Sequence, residues 1–166
     1  MKLITSRVNT IVEDFFGHLC NLLIPIETDR FMGEGKTVGV CTLSSLTLLK
    51  EISVDQLLMK KIALVGRMLS ENKGIDQIIR YCNQNESLRH LVVCGIETKG
   101  HLPGDALICL HQNGVGADGR ILNSMGHRPF LSLSLEAIEA FRKRVSVHNL
   151  IGVTDVKLVK DCVYNI

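Results

Sequence analysis

The segment Leu91-Val-Val-Cys-Gly-Ile-Glu-Thr-Lys-Gly-His-Leu-Pro-Gly104 predicts a buried strand, a glycine-containing loop and the start of a helix. Leu91 to Cys94 is a continuous apolar run, which is typical of a strand that is covered on both faces. Pro103 suits the first turn of a helix, and Gly114 ends that helix about three turns later. His101 therefore follows the carboxyl end of a parallel strand, which is where ligands bind in open α/β sheets.

His101 is the main candidate for a functional side chain in this segment. The positive end of the helix dipole disfavours a protonated imidazole and keeps the ring neutral. A neutral imidazole can be a metal ligand, a general base or an electrophile, whereas a surface histidine near a helix start would be none of these. The residues alone leave these alternatives open.

Composition limits the classes of function that this chain of 166 residues, long enough for one compact domain, can have. A net charge of +2 and an aromatic content of 4% give neither a basic patch nor stacking platforms, so specific nucleic-acid binding is not expected. Charged residues interrupt the apolar residues 1–26, which predicts neither a signal peptide nor a membrane span. The six cysteines contain no C-x-x-C pair, which favours buried thiols in a reducing cytosol. We therefore expect a cytoplasmic chain.

Apolar residues at helical and strand spacings alternate along the chain. Val8 to Leu23 predicts an amphipathic helix whose apolar stripe packs on the sheet or, as an alternative, binds a partner. Residues 27–36 lack periodicity and are predicted to be a loop. Strands are predicted at residues 37–43, 91–94, 120–122 and 147–151. Further helices are predicted at residues 53–68, where Ser53-Val-Asp-Gln56 has the form of a capping box, at 75–82 and 103–113, and from 134 and 154 onwards.

This alternation indicates right-handed βαβ units. The sequence predicts an α/β fold, a single Rossmann-like domain over residues 1–166 with a mainly parallel sheet flanked by helices. Three predicted loops, residues 42–45, 97–104 and 123–130, end at the same edge of that sheet, and the polar residues 70–74 are a further candidate there. No dinucleotide fingerprint, phosphate loop or nucleophile elbow accompanies them. The residues therefore predict a cleft with one well-placed histidine.

Several motifs resemble those of one family. Cys94-Gly-Ile-Glu-Thr-Lys-Gly-His-Leu-Pro-Gly104 is similar to the core motif of the corrinoid-carrying A subunit of tetrahydromethanopterin S-methyltransferase. The resemblance continues in Val38-Gly-Val-Cys-Thr-Leu-Ser44, Ser70-Glu-Asn72, Leu110-His-Gln-Asn-Gly-Val115 and Gly126 with Pro129-Phe130. These motifs cover a family core at residues 37–151, between an amino-terminal helix and loop (1–36) and a carboxyl-terminal helix (152–166).

The resemblance implies that His101 is the lower axial ligand of cobalt in a bound cobalamin or related cobamide. It implies a methyl carrier, the corrinoid subunit of a methyltransferase rather than a complete enzyme, which accepts a methyl group on cobalt from methyl-tetrahydromethanopterin or a similar donor. The acceptor would be a thiol such as coenzyme M. Other methyltransferase subunits or a methyl-donor protein are the implied partners, and only through them would the chain associate with a membrane. The cofactor-binding candidates that the motifs supply are Thr42, Leu43, Ser44, Glu71, Asn72, Gly95, Glu97, Gly100, His101, Gly104, Gly126, Pro129 and Phe130.

The ring nitrogen of His101 that does not bind cobalt needs an acceptor that fixes the tautomer. Glu97, Asp105 and a backbone carbonyl are the candidates. Gly95, Gly100 and Gly104 would let a flat macrocycle approach the backbone.

The sequence departs from related patterns at three positions. Lys99 stands where cobalamin domains of the methionine synthase type have aspartate, and His127 with Arg128 occupies a segment that is small and apolar in the family. We expect the latter two at the rim of the cleft, or in contact with a phosphate or carboxylate. One alternative function is a non-enzymatic Rossmann-like module that binds a nucleotide or another phosphorylated ligand at helix starts. Another is an assembly partner with a vacated cleft.

Overall fold

The computed structural model describes residues 29–166, so the amphipathic helix expected at residues 8–23, with His18 and Cys20, lies outside the described residues. The strands are β1 Arg30–Met32, β2 Val38–Cys41, β3 Ile62–Gly66, β4 His90–Gly95 and β5 Ser146–Ile151. The helices are α1 Leu46–Val54, α2 Gln56–Met59, α3 Lys73–Gln84, α4 Pro103–Asn113, α5 Leu135–Arg144 and α6 Val156–Tyr164.

A five-stranded mixed sheet with the order β1-β3-β2-β4-β5 forms the middle layer. Strand β2 pairs in parallel with both β3 and β4, and β4 pairs in parallel with β5. Strand β1 pairs antiparallel with β3 at one edge. The expected α/β fold with a helix-flanked sheet is confirmed, and the antiparallel edge strand makes the sheet a mixed one.

Two apolar clusters attach helices to the two faces of the sheet. On one face, α3, α4 and α5 pack against the sheet through a buried set that includes Ile75, Ile79, Leu107, Leu110, Ile138 and Phe141. On the other face, α1, α2 and α6 contribute Leu48, Leu49, Ile52, Leu58, Val159 and Val163. Because both faces are covered, β2 and β4 are buried along their lengths, as their continuous apolar runs predict.

The helices that follow the neighbouring strands β2 and β4 therefore lie on opposite faces of the sheet. The two chain connections diverge at the carboxyl ends of these strands and leave a crevice between them. A crevice of this kind is the usual ligand site of an open α/β sheet. The fold thus places the loop that carries His101 at the expected position.

The helix predicted over residues 53–68 is wrong. The chain instead ends α1 at Val54, forms the single-turn helix α2 and then enters strand β3. Asp55, not Ser53, caps α2 by accepting a hydrogen bond from the Leu58 N–H at 3.0 Å. The run Ile62 to Val65 matches a helical spacing, but it is placed in the sheet because burial between two strands favours an extended segment there.

Three smaller predictions also differ from the structure. Residues 30–32, expected to be part of a loop, form the edge strand β1. Residues 120–122, expected to be a strand of the sheet, make only isolated bridges, Val115 to Ile121 and Arg120 to Phe130. The helix expected from residue 154 begins at Val156, with Asp155 as its cap. By contrast, β2, β4, β5, α3, α4 and α5 are confirmed, and Ser134 caps α5 as predicted.

The cysteines of the described residues behave as small apolar side chains. Cys41, Cys82 and Cys94 are buried, and all five described cysteines have free thiols. Burial raises the pKa of the Cys41 and Cys82 thiols to about 12, so neither is a thiolate near neutral pH. These thiols therefore contribute packing and no nucleophile.

Candidate functional site

The loops after β2 and β4 are joined by hydrogen bonds at the crevice. The Ser44 hydroxyl donates to the Ile96 carbonyl at 2.7 Å, and the Ser45 hydroxyl accepts from the Ile96 N–H at 2.8 Å. The two serines directly precede α1, so the start of that helix is attached to the loop that carries His101. The sequence identified Ser44 as a site residue but did not single out Ser45.

His101 lies half exposed at the end of this loop. Its side chain is 50% exposed, and its backbone N–H donates to the Thr98 carbonyl at 2.9 Å. Nδ1 of its ring lies 2.9 Å from Oε2 of Glu71, a carboxylate whose side chain is only 2% exposed. Nε2 has no hydrogen-bond partner among residues 29–166. The bond to Glu71 therefore orients the imidazole through Nδ1 and leaves Nε2 without a protein partner among the described residues.

Glu71 connects His101 to the connection between α4 and α5. Its Oε1 accepts the backbone N–H of Arg128 at 2.9 Å, so each carboxylate oxygen holds a different segment. Burial acts to raise the pKa of this carboxyl. Hydrogen bonds from the N–H groups of Arg128 and Glu71 itself, and the charge and hydrogen bond of His101, outweigh burial and leave the pKa below its usual value. An ionised carboxylate only accepts hydrogen bonds, so Nδ1 of His101 carries the proton.

When the ring of His101 carries a single proton, the bond to Glu71 places that proton on Nδ1, and the lone pair of Nε2 is then available for a ligand. We had expected Glu97, Asp105 or a carbonyl to hold the ring, and the structure gives this role to Glu71 instead. Glu71 is 30 positions away in sequence, so no local pattern links the two residues. The motif Ser70-Glu-Asn72 identified Glu71 as a site residue, but not as the partner of His101.

Glu97 caps helix α4. Its carboxylate accepts the N–H groups of Gly104 at 3.0 Å and of Asp105 at 2.7 Å. Pro103 has no N–H, and the Ala106 N–H is bonded to the Leu102 carbonyl, so the first turn of α4 has no free donor. The helix end that we expected to act on His101 is thus neutralised by a carboxylate, and Glu71 contacts the imidazole instead.

Asp105 holds the residues after α4 against the site. Its carboxylate accepts from the Ser124 hydroxyl at 3.1 Å and from the Met125 N–H at 2.9 Å. Residues 123–130 therefore reach the expected edge of the sheet through side-chain bonds, although no sheet strand precedes them. Within this segment Gly126 and Pro129 are buried, whereas Phe130 is exposed and lies 5.3 Å from the Arg120 guanidinium.

Contacts within the protein explain why two positions of the motif are glycine. Gly95 has φ +82°, and a Cβ there would lie 2.3 Å from the Thr42 carbonyl oxygen. A Cβ on Gly104 would lie 2.8 Å from Oε1 of Glu97. Only Gly100, also at φ +82°, faces open space, with no atom within 4 Å of its position for a Cβ. Of these three residues, Gly100 alone leaves room for a large ligand.

The remaining candidates divide into buried supports and rim residues. Thr42 and Leu43 are fully buried, so their side chains support the loops from inside. The Asn72 carboxamide accepts the Lys73 N–H at 2.6 Å and caps α3. His127 and Arg128 are exposed, and the backbone N–H of Arg128 donates to the buried carboxylate of Glu71.

The surroundings of His101 suit a flat, largely apolar ligand that brings its own metal. Ile96, Met125 and Phe130 expose 51%, 75% and 42% of their surfaces on the segments that border the site. No group of three histidine, cysteine, aspartate or glutamate side chains within residues 29–166 could hold a metal ion. A single histidine suits a metal whose other ligands come from a macrocycle. The Thr98 hydroxyl, in the same loop as His101, is buried without a hydrogen-bond partner in the described part of the chain.

The chain was compared with known proteins. Residues 25–166 match the family model for the A subunit of tetrahydromethanopterin S-methyltransferase. A protein of Methanothermobacter thermautotrophicus, named as A subunit 1 of tetrahydromethanopterin S-methyltransferase, is 38% identical over 59% of this chain and 42% of its own length. Its counterpart in Methanocaldococcus jannaschii is 34% identical over 75% of this chain and 52% of its own length.

A Methanosarcina mazei protein, provisionally named as the A subunit of a methyltransferase Mtx, is 38% identical over 59% of this chain and 58% of its own length. The chain thus spans about half the length of the curated relatives it matches. None of the helices in residues 29–166 is both long and apolar enough to cross a membrane.

Proposed function

The chain belongs to the family of the A subunit of tetrahydromethanopterin S-methyltransferase, and we propose that it is a methyl carrier that binds a cobamide through His101. When bound, the corrinoid cobalt supplies the chemistry, by accepting a methyl group from methyl-tetrahydromethanopterin or a similar donor and giving it up to a thiol such as coenzyme M. The residues of this chain bind and orient that cofactor. We further propose that residues 1–166 form one Rossmann-like domain and that the protein is cytoplasmic. Partner subunits would bind the methyl donor and the methyl acceptor.

The hydrogen bond between Glu71 and Nδ1 of His101 is the observation that carries the proposal. Histidines that bind metals usually donate their second N–H to a carboxylate or carbonyl, which fixes the tautomer and makes the ligating nitrogen more basic. A buried carboxylate bonded to a half-exposed imidazole has this arrangement. A surface histidine without a ligand would gain little from such a bond, and burying a carboxylate is costly.

Three features would hold the macrocycle. Nε2 of His101 would bind the cobalt, and Gly100 has no atom within 4 Å of the position of a Cβ, so it would leave room for the macrocycle. The exposed side chains of Ile96, Met125 and Phe130 would contact the apolar faces and rim of the corrin and keep water from the cobalt. The other motif residues, Thr42, Leu43, Ser44, Asn72, Gly95, Glu97, Gly104, Gly126 and Pro129, would act by fixing the loops that carry these groups.

The nucleotide-binding alternative has less support. Phosphate groups bind at helix starts through free backbone N–H groups. At α4 the N–H groups of Gly104 and Asp105 are taken by Glu97, and at α3 the N–H groups of Lys73 and Gly74 are taken by Asn72 and Ser70. These N–H groups of α3 and α4 are therefore already bonded within the protein. At α4 the acceptor is the Glu97 carboxylate, whose negative charge would repel a phosphate.

The proposal is tested by incubating the purified protein with hydroxocobalamin, removing free cofactor by gel filtration and recording the absorption spectrum. His101→Ala and His127→Ala are treated in parallel, because both residues are exposed histidines at the site. We expect the wild type and His127→Ala to retain colour with a histidine-ligated spectrum that His101→Ala lacks. Equal spectra for all three proteins would contradict the assignment of His101 as the ligand. If folded protein retained no colour, the proposal that the chain binds a cobamide would be wrong.

A further inference from the structure

A groove of about 560 Å³ opens on the sheet face that carries α3, and one end of it reaches Ser70, the residue before Glu71. One wall is formed by Ile78 and Tyr81 of α3, and the floor includes Leu64 of β3. Met32 on β1 is the cross-strand partner of Leu64, so both side chains lie on the same face of the sheet. Met32 is 63% exposed, so no described helix covers the β1–β3 edge on this face.

The described part of the chain begins at this groove. Asp29 and Arg30, the first two described residues, both line it. The apolar stripe predicted for residues 8–23 ends at Leu23, six positions before Asp29, and Pro25 then interrupts the helical pattern. Six residues span at most about 22 Å, so the end of the stripe lies within that distance of the groove.

The shapes and chemistry of the two surfaces match. Residues 8–23 as a helix would be about 24 Å long, with one apolar stripe that includes Val12, Phe15, Phe16 and Leu19. The groove offers an apolar strip between helix α3 and the sheet, near the edge formed by β1 and its neighbour β3. Helices pack on the face of a sheet in this way when both surfaces are apolar.

Charge supports the same pairing. Residues 8–23 contain no lysine or arginine, and Glu13 and Asp14 are their acidic residues. Among the charged residues that line the groove, Arg67 is paired with Asp29, whereas the charged groups of Arg30 and Lys73 have no hydrogen bond or ion pair within residues 29–166. A helix that lies on a membrane surface is usually rich in lysine and arginine on its polar face, and this segment is not.

We propose that residues 8–23 dock into this groove and complete the helical layer over β1 and β3. The occupant is the protein's own amino-terminal segment, in the same molecule. The family match begins at residue 25, so residues 8–23 lie outside the matched range, whereas the groove lies within it. The proposal does not depend on the cobamide function.

Tryptophan fluorescence tests the docking, because the native sequence contains no tryptophan. Phe15→Trp places the probe in the apolar stripe, and Thr10→Trp places it on the opposite side of the predicted helix. In the purified full-length protein we expect blue-shifted emission and at least about threefold weaker quenching by iodide for Phe15→Trp than for Thr10→Trp. Equal quenching of the two variants in folded protein would overturn the proposal.

A second substitution tests whether the segment binds in this groove. Leu69, which lines the groove, is 41% exposed, and Leu122, which does not, is 43% exposed, so the two leucines form a matched pair. Leu69→Asp in the Phe15→Trp background should restore quenching, whereas Leu122→Asp should not. If protection falls on dilution, the occupant is a second copy of the chain, and if it needs added phospholipid vesicles, the occupant is a membrane. Either result would overturn docking within one molecule.

Discussion

The buried carboxylate of Glu71 accepts a hydrogen bond from Nδ1 of the half-exposed His101 at 2.9 Å, and its second oxygen accepts the Arg128 N–H at the same distance. One side chain thus sets both the tautomer of the imidazole and the position of the rim segment beside it. The lowered pKa of Glu71 keeps the carboxylate ionised at neutral pH, so the acceptor is always present there. The imidazole of His101 and the segment that borders it are therefore positioned together.

Glu71→Gln should weaken the binding of hydroxocobalamin. An amide has one acceptor oxygen and one donor nitrogen, so it cannot accept from both His101 and Arg128. Loss of such a supporting bond costs roughly 10–100-fold in metal affinity, and we expect a rise in the dissociation constant within that range. Spectral titration measures it. Glu86→Gln, an exposed control, should bind as the wild type does, and unchanged affinity in Glu71→Gln would contradict the role assigned to this residue.

Substitution of two glycines should separate backbone strain from steric conflict. Gly95 and Gly100 both have φ +82°, but only Gly95 has a neighbouring atom, the Thr42 carbonyl oxygen, at the position of a Cβ. Gly100→Ala should lower the free energy of unfolding by about 1–2 kcal/mol, the cost of a left-handed conformation for alanine. Gly95→Ala should lower it by roughly 1–3 kcal/mol more because of the clash. Urea denaturation of both variants tests this order, and equal losses would contradict it.

Removal of the Glu97 carboxylate should destabilise helix α4. Glu97→Ala leaves the N–H groups of Gly104 and Asp105 without their acceptor. We expect the free energy of unfolding to fall by about 1 kcal/mol, the usual cost of losing a helix cap. The control is Glu136→Ala in the first turn of α5, where the cap hydrogen bond comes from Ser134. A loss for Glu97→Ala no larger than that for Glu136→Ala would show that the cap contributes little.

Stability should fall on the acid side of neutrality because of His148. Burial, and then the charge of His90, whose Nδ1 lies 3.2 Å from Nε2 of His148, hold the pKa of His148 below its usual value of 6.5. The unfolded chain therefore binds a proton more readily than the folded one, and folding stability declines as pH falls below about 6.5.

Chemical denaturation of the wild type and of His148→Gln, between about pH 8 and pH 5.5, measures this effect. The decline between the two pH values should be smaller in the variant. A decline of the same size in both proteins would assign the acid sensitivity to other groups.

The sequence predicted those parts of the fold in which local pattern and tertiary environment agree. Strand β4 and helix α4 have a continuous apolar run, a proline at the helix start and a glycine at its end, and each signal has one interpretation. Residues 62–66 have two possible interpretations, because their apolar side chains fit a helical spacing as well as a buried strand. Pairing with β2 makes the segment a strand, and the sequence of residues 62–66 alone does not predict that pairing.

The site was predictable as a set of loops but not as a set of contacts. The position of His101 after β4 follows from the strand–loop–helix pattern, and the structure places it at the crevice. Its partner Glu71 lies on the connection after β3, and only the order of strands in the sheet brings the two connections together. Glu97 was a candidate because it is close to His101 in sequence, but the start of α4 lies closer to its carboxylate than the imidazole does.

Electron paramagnetic resonance of the cobalt(II) form tests the central claim most directly. The protein is produced with histidine labelled with the spin-one-half isotope of nitrogen, and it is loaded with unlabelled cobalamin. Ligation by His101 predicts that each cobalt line splits into two, and that His101→Ala loses this splitting. A three-line splitting, which comes from the unlabelled base of the cofactor itself, or a two-line pattern that survives in His101→Ala, would contradict the assignment of His101 as the axial ligand.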